Sequence, residues 1–599
     1  MKPSPILRTG ADSPDQLPAP LSRRHFLGAL SVATIAQLFP PKLIGSDARP
    51  RPIFSDVTAE AGITWRQFNG ISPDRYLIET MGGGVGLFDF DDDGWLDIFL
   101  LNGGETPRGR SVKPLRNALY RNLGNGKFVD VAAEVGLGLV KNYEMGVAIA
   151  DFDNDGHQDI FITGFPACML YHNNGNGTFT DVTAEAGLQN TGRWASGAAW
   201  FDYDRDGFLD LVVCNYAELS FEGIAPNCQF VHVRTYCEQR VYKGMPLTIY
   251  HNNRNGSFTD VSGPSGLGRF VGRALGVVAI DIDSDGWPDL FVARDASPNL
   301  LLLNKHDGTF VDIGLEAEVA FDSNGNAKAG MGVDAGDVNG DGRPDVVVTN
   351  FNFEYPSLFL NRGDLPFEDW TRASHLAGST RLDVGWGVHF LDFDNDGLLD
   401  LMIVNGHVNE AIESLQPQVK YREQPLLLHN SGNAVFEDVS SKAGTAFSQR
   451  YLARGLAIGD WDNDGAPDAI FTCIGDRPVL LRNNLGQKNS WIGLRLVGVK
   501  SNRDAIGAKL MLRVADKKLT RWLTGGSSYL SSHDKRILFG LGNLTASHTV
   551  DVDIIWPNGG TQVASSLEIN RYHRIVEQVR SKVALGIYCG RGTTDTSLK

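Results

Sequence analysis

Three features predict an all-β fold: an aspartate-rich nonapeptide repeated seven times, a glycine five residues ahead of each copy, and short apolar runs divided by Asn- and Gly-rich turns. The expected architecture is a seven-bladed β-propeller closed by an N-terminal strand, followed by a small β-sandwich-like domain.

The nonapeptide reads D-x-D-x-D-G-x-x-D. It sets candidate metal ligands at Asp89, Asp91, Asp93 and Asp97, then at Asp151, Asp153, Asp155 and Asp159. Further copies supply Asp202, Asp204, Asp206 and Asp210, and Asp281, Asp283, Asp285 and Asp289. The fifth, Asp337, Asn339, Asp341 and Asp345, has an amide in place of one carboxylate. The last two give Asp392, Asp394, Asp396 and Asp400, and Asp460, Asp462, Asp464 and Asp468.

Around each loop the elements repeat in a fixed order. The glycine (Gly84, Gly146, Gly197, Gly276, Gly332, Gly387 and Gly455) suits an innermost strand, where blades converge and side chains have little room. An apolar run follows the aspartates, as in Asp159-Ile-Phe-Ile-Thr163. Next comes a segment ending in asparagine, such as Leu119-Tyr-Arg-Asn122, and then Phe-x-Asp, such as Phe128-Val-Asp130. That makes four short strands per repeat. The first Phe-x-Asp, Phe54-Ser-Asp56, precedes every loop, whereas the repeat after Asp460 has none. Pairing these two ends seals a ring and removes the exposed edges of an open array.

Alternate carboxylates in a tight loop direct oxygens at one centre, which suits Ca²⁺ with its six to eight oxygen ligands better than Mg²⁺ with its stricter octahedron. Without cations the clustered aspartates repel one another strongly. Up to seven Ca²⁺ are therefore expected. The loops resemble the FG-GAP (VCBS-type) repeats of integrin α-subunit propellers. The segment from Trp491 to Pro557, with Ser501-Asn-Arg-Asp-Ala-Ile-Gly-Ala508 and Phe539-Gly-Leu-Gly542, resembles the ASPIC/UnbV domain. Together they resemble the cartilage acidic protein and UnbV group, and that resemblance implies calcium binding and an extracellular setting, without supplying a reaction.

The remaining segments follow in chain order. Residues 1–48 read as a twin-arginine-type signal peptide, with Arg23-Arg24 before the uncharged run Phe26 to Phe39 and cleavage after Ala48. That run is short of the ~20 residues a span requires, so a cleaved signal and a retained anchor are the two readings. The expected address is bacterial, periplasmic or extracellular, with no membrane span after cleavage. The propeller is placed at 52–488, the ASPIC/UnbV β domain at 490–578 and a tail at 579–599. After export a Cys228–Cys237 disulfide is expected.

Net charge −16 argues against nucleic-acid partners. Three insertions, about 101–118, 220–246 and 405–425, fall between second and third strands, on the face opposite the aspartate loops, and build a rim for a ligand. Arg108, Arg110, Lys113 and Arg116 make the first of them basic, and His407 reads either as a turn residue or as part of the ligand face. The sequence carries no Gly-x-Ser-x-Gly elbow, His-Glu-x-x-His or phosphate loop. The expected function is binding or adhesion to a glycan or protein. An extracytoplasmic enzyme using the channel or rim, with a cofactor, is the alternative, and a scaffold for the C-terminal domain is a third reading.

Overall fold

A computed structural model describes residues 51–222, 227–230, 232–514, 517–545 and 548–578. The expected signal segment, the tail and Cys589 lie outside the described residues. Among the described residues no helix is long and apolar enough to cross a membrane.

Seven four-stranded antiparallel sheets account for the repeats. We number these blades by their aspartate loops. The inner strands are Val85–Phe88, Tyr143–Ala150, Ala195–Phe201, Ala274–Ile280, Val333–Gly336, Gly385–Leu391 and Ala453–Gly459. Blade two continues with Asp159–Phe165, Met169–Asn173 and Phe179–Asp181. Blade seven takes its outer strand from the start of the domain: Phe54–Asp56 pairs antiparallel with Val479–Asn483, Phe54 opposite Asn483. The inner strands touch in cyclic order, and Ala453–Gly459 meets both Gly385–Leu391 and Val85–Phe88.

The second strands are mostly apolar after a leading aspartate, and are buried at every position in Asp159–Phe165 and Asp345–Val348. A blade is covered on both faces by its neighbours, so its strands do not alternate polar and apolar residues as a one-sided sheet does. The inner-strand glycines carry the contact between blades. A Cβ on Gly197 would lie 2.3 Å from the Leu275 carbonyl oxygen, and one on Gly332 2.1 Å from that of Trp386. The Cα of Gly84 would lie 3.1 Å from a Cβ on Gly455, so the same contact joins the last blade to the first.

The C-terminal domain has a four-stranded sheet (Lys509–Val514, Lys517–Trp522, Thr549–Ile555, Thr561–Glu568) and a three-stranded one (Ser490–Val497, Ile537–Gly542, Tyr572–Val576). Leu494, Leu510, Leu512, Phe539 and Val552 share the core between them. Residues 523–536, which link Lys517–Trp522 to Ile537–Gly542, form a finger that enters the propeller channel. Inner-strand amides there need acceptors, and the finger supplies them. Leu87 donates to the Ser532 carbonyl (3.0 Å), Val147 to Leu530 (3.0 Å), Ala279 to Gly525 (3.1 Å) and Val333 to Ser528 (3.1 Å). Val388 donates to Ser528 Oγ (3.2 Å), and Ile458 to His533 Nδ1 (2.9 Å). In blade three a Cβ on Gly525 would lie 1.6 Å from the Trp200 oxygen. The finger thus meets every blade.

Candidate metal loops and a rim cavity

The seven loops share one backbone. The sixth-position glycines all have positive φ, between 87° and 103°, and the fourth-position residues are left-handed as well: Asp92, Asn154, Arg205, Ser284, Gly340, Asn395 and Asn463. Two such residues close together fold the chain tightly enough to gather its carboxylates. The first aspartate holds the turn through the glycine amide; Asp89 Oδ2 accepts from Gly94 (2.9 Å) and Asp460 Oδ2 from Gly465 (2.8 Å).

The ninth aspartate is buried in every loop. Its Oδ2 accepts from the second residue of its own loop, and its Oδ1 from the asparagine that ends the third strand. In blade one these are Phe90 (3.0 Å) and Asn122 (2.7 Å). The same asparagine reaches the preceding blade: Asn122 Nδ2 donates to Trp461 O (2.8 Å), Asn173 to Phe90 O (2.9 Å) and Asn483 to Phe393 O (2.7 Å). The sequence marks these asparagines only as strand ends. Their role as staples between blades was carried by their strict position, seven residues that each end a third strand.

Carboxylate oxygens of Asp89, Asp91 and Asp97 lie within 4.8 Å of one another, as do those of Asp151, Asp153 and Asp155. A histidine joins the cluster in blades two, three and six. His172 Nδ1 is 3.1 Å from Asp159 Oδ1, His251 Nδ1 3.2 Å from Asp210 Oδ1, and His429 Nε2 3.4 Å from Asp394 Oδ2. In blade one Arg121 takes that place, with Nε 2.7 Å from Asp91 Oδ2. The donor set suits a hard cation. Buried oxygens that meet no protein donor remain on Asp91, Asp204, Asp281, Asp337 and Asp462, and the Asp337 loop, which has an amide at Asn339, is among them. Burial raises Asp97 and Asp202 to about 8. It raises Asp151 to about 9, with the Asp504 charge contributing next.

Asp504 belongs to the C-terminal domain, which rests on this face. Its Oδ2 accepts from the Asp151 amide (2.9 Å), and the Arg503 amide donates to Asn154 Oδ1 (2.7 Å). Asn502, in contrast, closes its own turn through Ile506. Lys509 Nζ donates to Gly342 O (3.1 Å), Lys517 Nζ to Asp396 O (3.1 Å) and Tyr572 Oη to Asp460 Oδ2 (2.7 Å). Trp491 lies against Gly465, where a Cβ would fall 1.8 Å from the indole.

At the other mouth of the channel lies a cavity of about 600 Å³. Residues of the second and third insertions line it, together with Leu77, Met81, Met331 and Trp386. Tyr529, at the finger tip, is fully buried beside Trp386, ring centroids 4.8 Å apart. Cys228 and Cys237 pair as a disulfide in the wall. His407 is buried there. The first insertion does not line the cavity, and its arginines are engaged locally, Arg108 with Asp74 and Arg110 with Glu105.

An all-β propeller with repeated acidic loops and a C-terminal β domain defines the class. Profiles agree: one described as FG-GAP-like repeat matches residues 89–162, 151–213, 241–292, 281–348 and 337–403, and one described as ASPIC and UnbV matches 498–582. The chain belongs to the family of FG-GAP-repeat proteins that end in an ASPIC/UnbV domain. It is similar to cartilage acidic protein 1 of Mus musculus (24% identity, covering 93% of this chain and 83% of the relative). Cartilage acidic protein 1 of Xenopus tropicalis matches at 25%, covering 71% and 72%. Among solved structures, the BP39L lectin of Burkholderia pseudomallei aligns at 11% identity with a TM-score of 0.39, covering 67% of this chain and 96% of its own.

Proposed function

We propose that this chain is an exported, calcium-binding propeller that acts as an extracytoplasmic binding protein for a glycan or protein ligand at the rim cavity. The observation that carries the reading is the division of labour between the two channel mouths. One is covered by the chain's own C-terminal domain, and the other keeps an aromatic-lined cavity of a size that suits a small ligand or the end of a larger one.

Calcium is supported by the carboxylates that gather within one cation's reach and by their unmet buried oxygens. The aspartates of the loops would hold the ions, and a bound ion would supply positive charge that lets them ionise inside the fold. Export is supported by the Cys228–Cys237 disulfide, which persists in oxidising compartments. Residues 523–536 enter the channel, which leaves the rim as the place for the enzymatic alternative.

Two measurements test the reading. Elemental analysis of protein purified in calcium buffer should find six or seven Ca²⁺ per chain, and fewer than three sinks the metal assignment. Pull-downs from surface extracts should lose their ligand when the second and third insertions are replaced by short turns. Retention of the ligand moves the binding face elsewhere.

A further inference from the structure

We propose that the loops of blades two, three and six prefer a borderline divalent transition ion such as Zn²⁺ to calcium, with His172, His251 and His429 as nitrogen ligands. This rests on the reading that the loops hold cations, and adds a second class of ion.

The residue before each stapling asparagine sorts the seven loops. Blades two, three and six have histidine there, blades one and seven have Arg121 and Arg482, and blades four and five have Leu303 and Leu360. The end of the third strand is tied to the ninth aspartate of the loop. Asn173 donates its amide to Asp159 Oδ1 (2.8 Å), Asn252 to Asp210 Oδ1 (2.8 Å) and Asn430 to Asp400 Oδ1 (2.7 Å). In these blades the imidazole one residue earlier is thereby held beside the carboxylates.

In blades two and three one ring nitrogen faces two aspartates. His172 Nδ1 lies 3.1 Å from Asp159 Oδ1 and 3.5 Å from Asp153 Oδ2. His251 Nδ1 repeats this, 3.2 Å from Asp210 Oδ1 and 3.5 Å from Asp204 Oδ2. In blade six His429 Nε2 is 3.4 Å from Asp394 Oδ2, and Asp396 belongs to the same cluster. A single N–H aims well at only one acceptor. Ligands of one ion, by contrast, crowd together: atoms about 2.0–2.1 Å from a tetrahedral zinc lie about 3.3 Å apart.

The donor type selects the ion. Calcium is held by oxygen ligands, whereas imidazole beside carboxylate suits zinc and its first-row neighbours. The three histidine side chains are 24%, 30% and 28% exposed, so an ion reaches them from solvent. Blade one instead offers a fixed positive charge, with Arg121 Nε 2.7 Å from Asp91 Oδ2, and the leucines of blades four and five offer no donor. In calcium alone the histidine loops still take calcium through their aspartates, and zinc displaces it from those three.

The test equilibrates the full chain with Zn²⁺ in a large excess of Ca²⁺, removes free metal by gel filtration and counts the bound ions. About three Zn²⁺ per chain should be retained, one for each histidine loop. The triple variant His172→Leu, His251→Leu, His429→Leu should retain none and keep its calcium count. Leucine already stands at that place in two blades, and each single variant, losing one Zn²⁺, decides the matter if the triple variant does not fold. With Co²⁺ as the probe, visible absorption should appear in the parent and vanish in the triple variant. A histidine that served only as an ion-pair partner would shift the unfolding midpoint and leave the zinc count unchanged. No zinc retained against calcium, or an unchanged zinc count in the triple variant, overturns the proposal. If calcium fills the loops and zinc is not held, this inference alone fails; if neither ion is held, the calcium reading fails with it.

Discussion

The two mouths of the propeller channel solve opposite problems. On the aspartate-loop face, the C-terminal domain makes backbone and side-chain hydrogen bonds to loops of several blades and sends a finger down the axis. On the rim face, the second and third insertions line a cavity of about 600 Å³. The first arrangement covers its face; the second leaves a cavity between insertions. The difference shows why a ring of near-identical blades has unlike ends: the strand 1–2 loops all keep one tight turn with two left-handed residues, whereas strand 2–3 connections are free to lengthen.

The comparison is broken most directly by chelation, which tests the proposed calcium. Chelation should lower the unfolding midpoint by about 10 °C or more, because ions bound only to the folded state stabilise it by mass action. Calorimetry with and without chelator reads this, and an unchanged midpoint would detach the loops from stability. The pH dependence of the metal-free protein has a definite sign. Asp97 and Asp202 are raised to about 8 and Asp151 to about 9, above an unfolded value near 4. Raised carboxylates favour the fold fully below the unfolded pKa and lose that contribution as pH climbs through their folded values. Chelated protein should therefore lose stability steadily from about pH 4 to about pH 9, and calcium should flatten the slope.

Next in size is the finger. Tyr529→Ala deletes a fully buried ring at the centre of the channel and should cost about 3–5 kcal/mol in denaturant titrations. A value under about 1 kcal/mol would mean that the finger does not occupy the channel in solution. Gly332→Ala should follow at about 1–3 kcal/mol, since its Cβ would meet the Trp386 oxygen at 2.1 Å, a backbone atom that cannot rotate away. Gly256→Ala is the control, a left-handed turn glycine with nothing near its Cβ; only backbone strain applies there, about 1 kcal/mol.

Much of this was legible in the sequence for a physical reason. Loop turn geometry and blade contact fix residue types at fixed spacings, so the aspartates and inner glycines stand out from one chain alone. The outer strand Phe54–Asp56 was legible by counting, because one Phe-x-Asp lies ahead of all loops. The finger was not. Residues 523–536 are a loop in their own domain, and most of the blades they meet bind them through backbone carbonyls, which impose little on side-chain identity. The Asp504 contact with the Asp151 loop was hidden likewise, because nothing local distinguishes a carboxylate that caps its own turn from one that docks on another domain. The rim was expected at three insertions, and the structure lines its cavity with the second and third but not the first, which nothing in unrepeated segments could foretell. His407 drew notice, but its burial in the cavity lining could not be read from the sequence.

The smallest expected effect on stability sharpens the contrast between the faces. Replacing Cys228 and Cys237 together by serine opens a bridge between residues nine apart, in a hairpin whose Phe230 and Val233 side chains are exposed. Cys237 reaches the buried cluster around Tyr216 and Trp386, but the strands between the two cysteines are mostly exposed, so opening of the bridge is expected to be a local event. The unfolding midpoint should stay within about 2 °C of the parent, while amide exchange in Cys228–Phe230 and Val233–Thr235 accelerates. Ligand affinity at the rim should fall at the same time, because the wall must be ordered again on each binding event. A large fall in midpoint would instead make the second insertion part of the propeller's framework, and the two mouths would then differ less than their geometry implies.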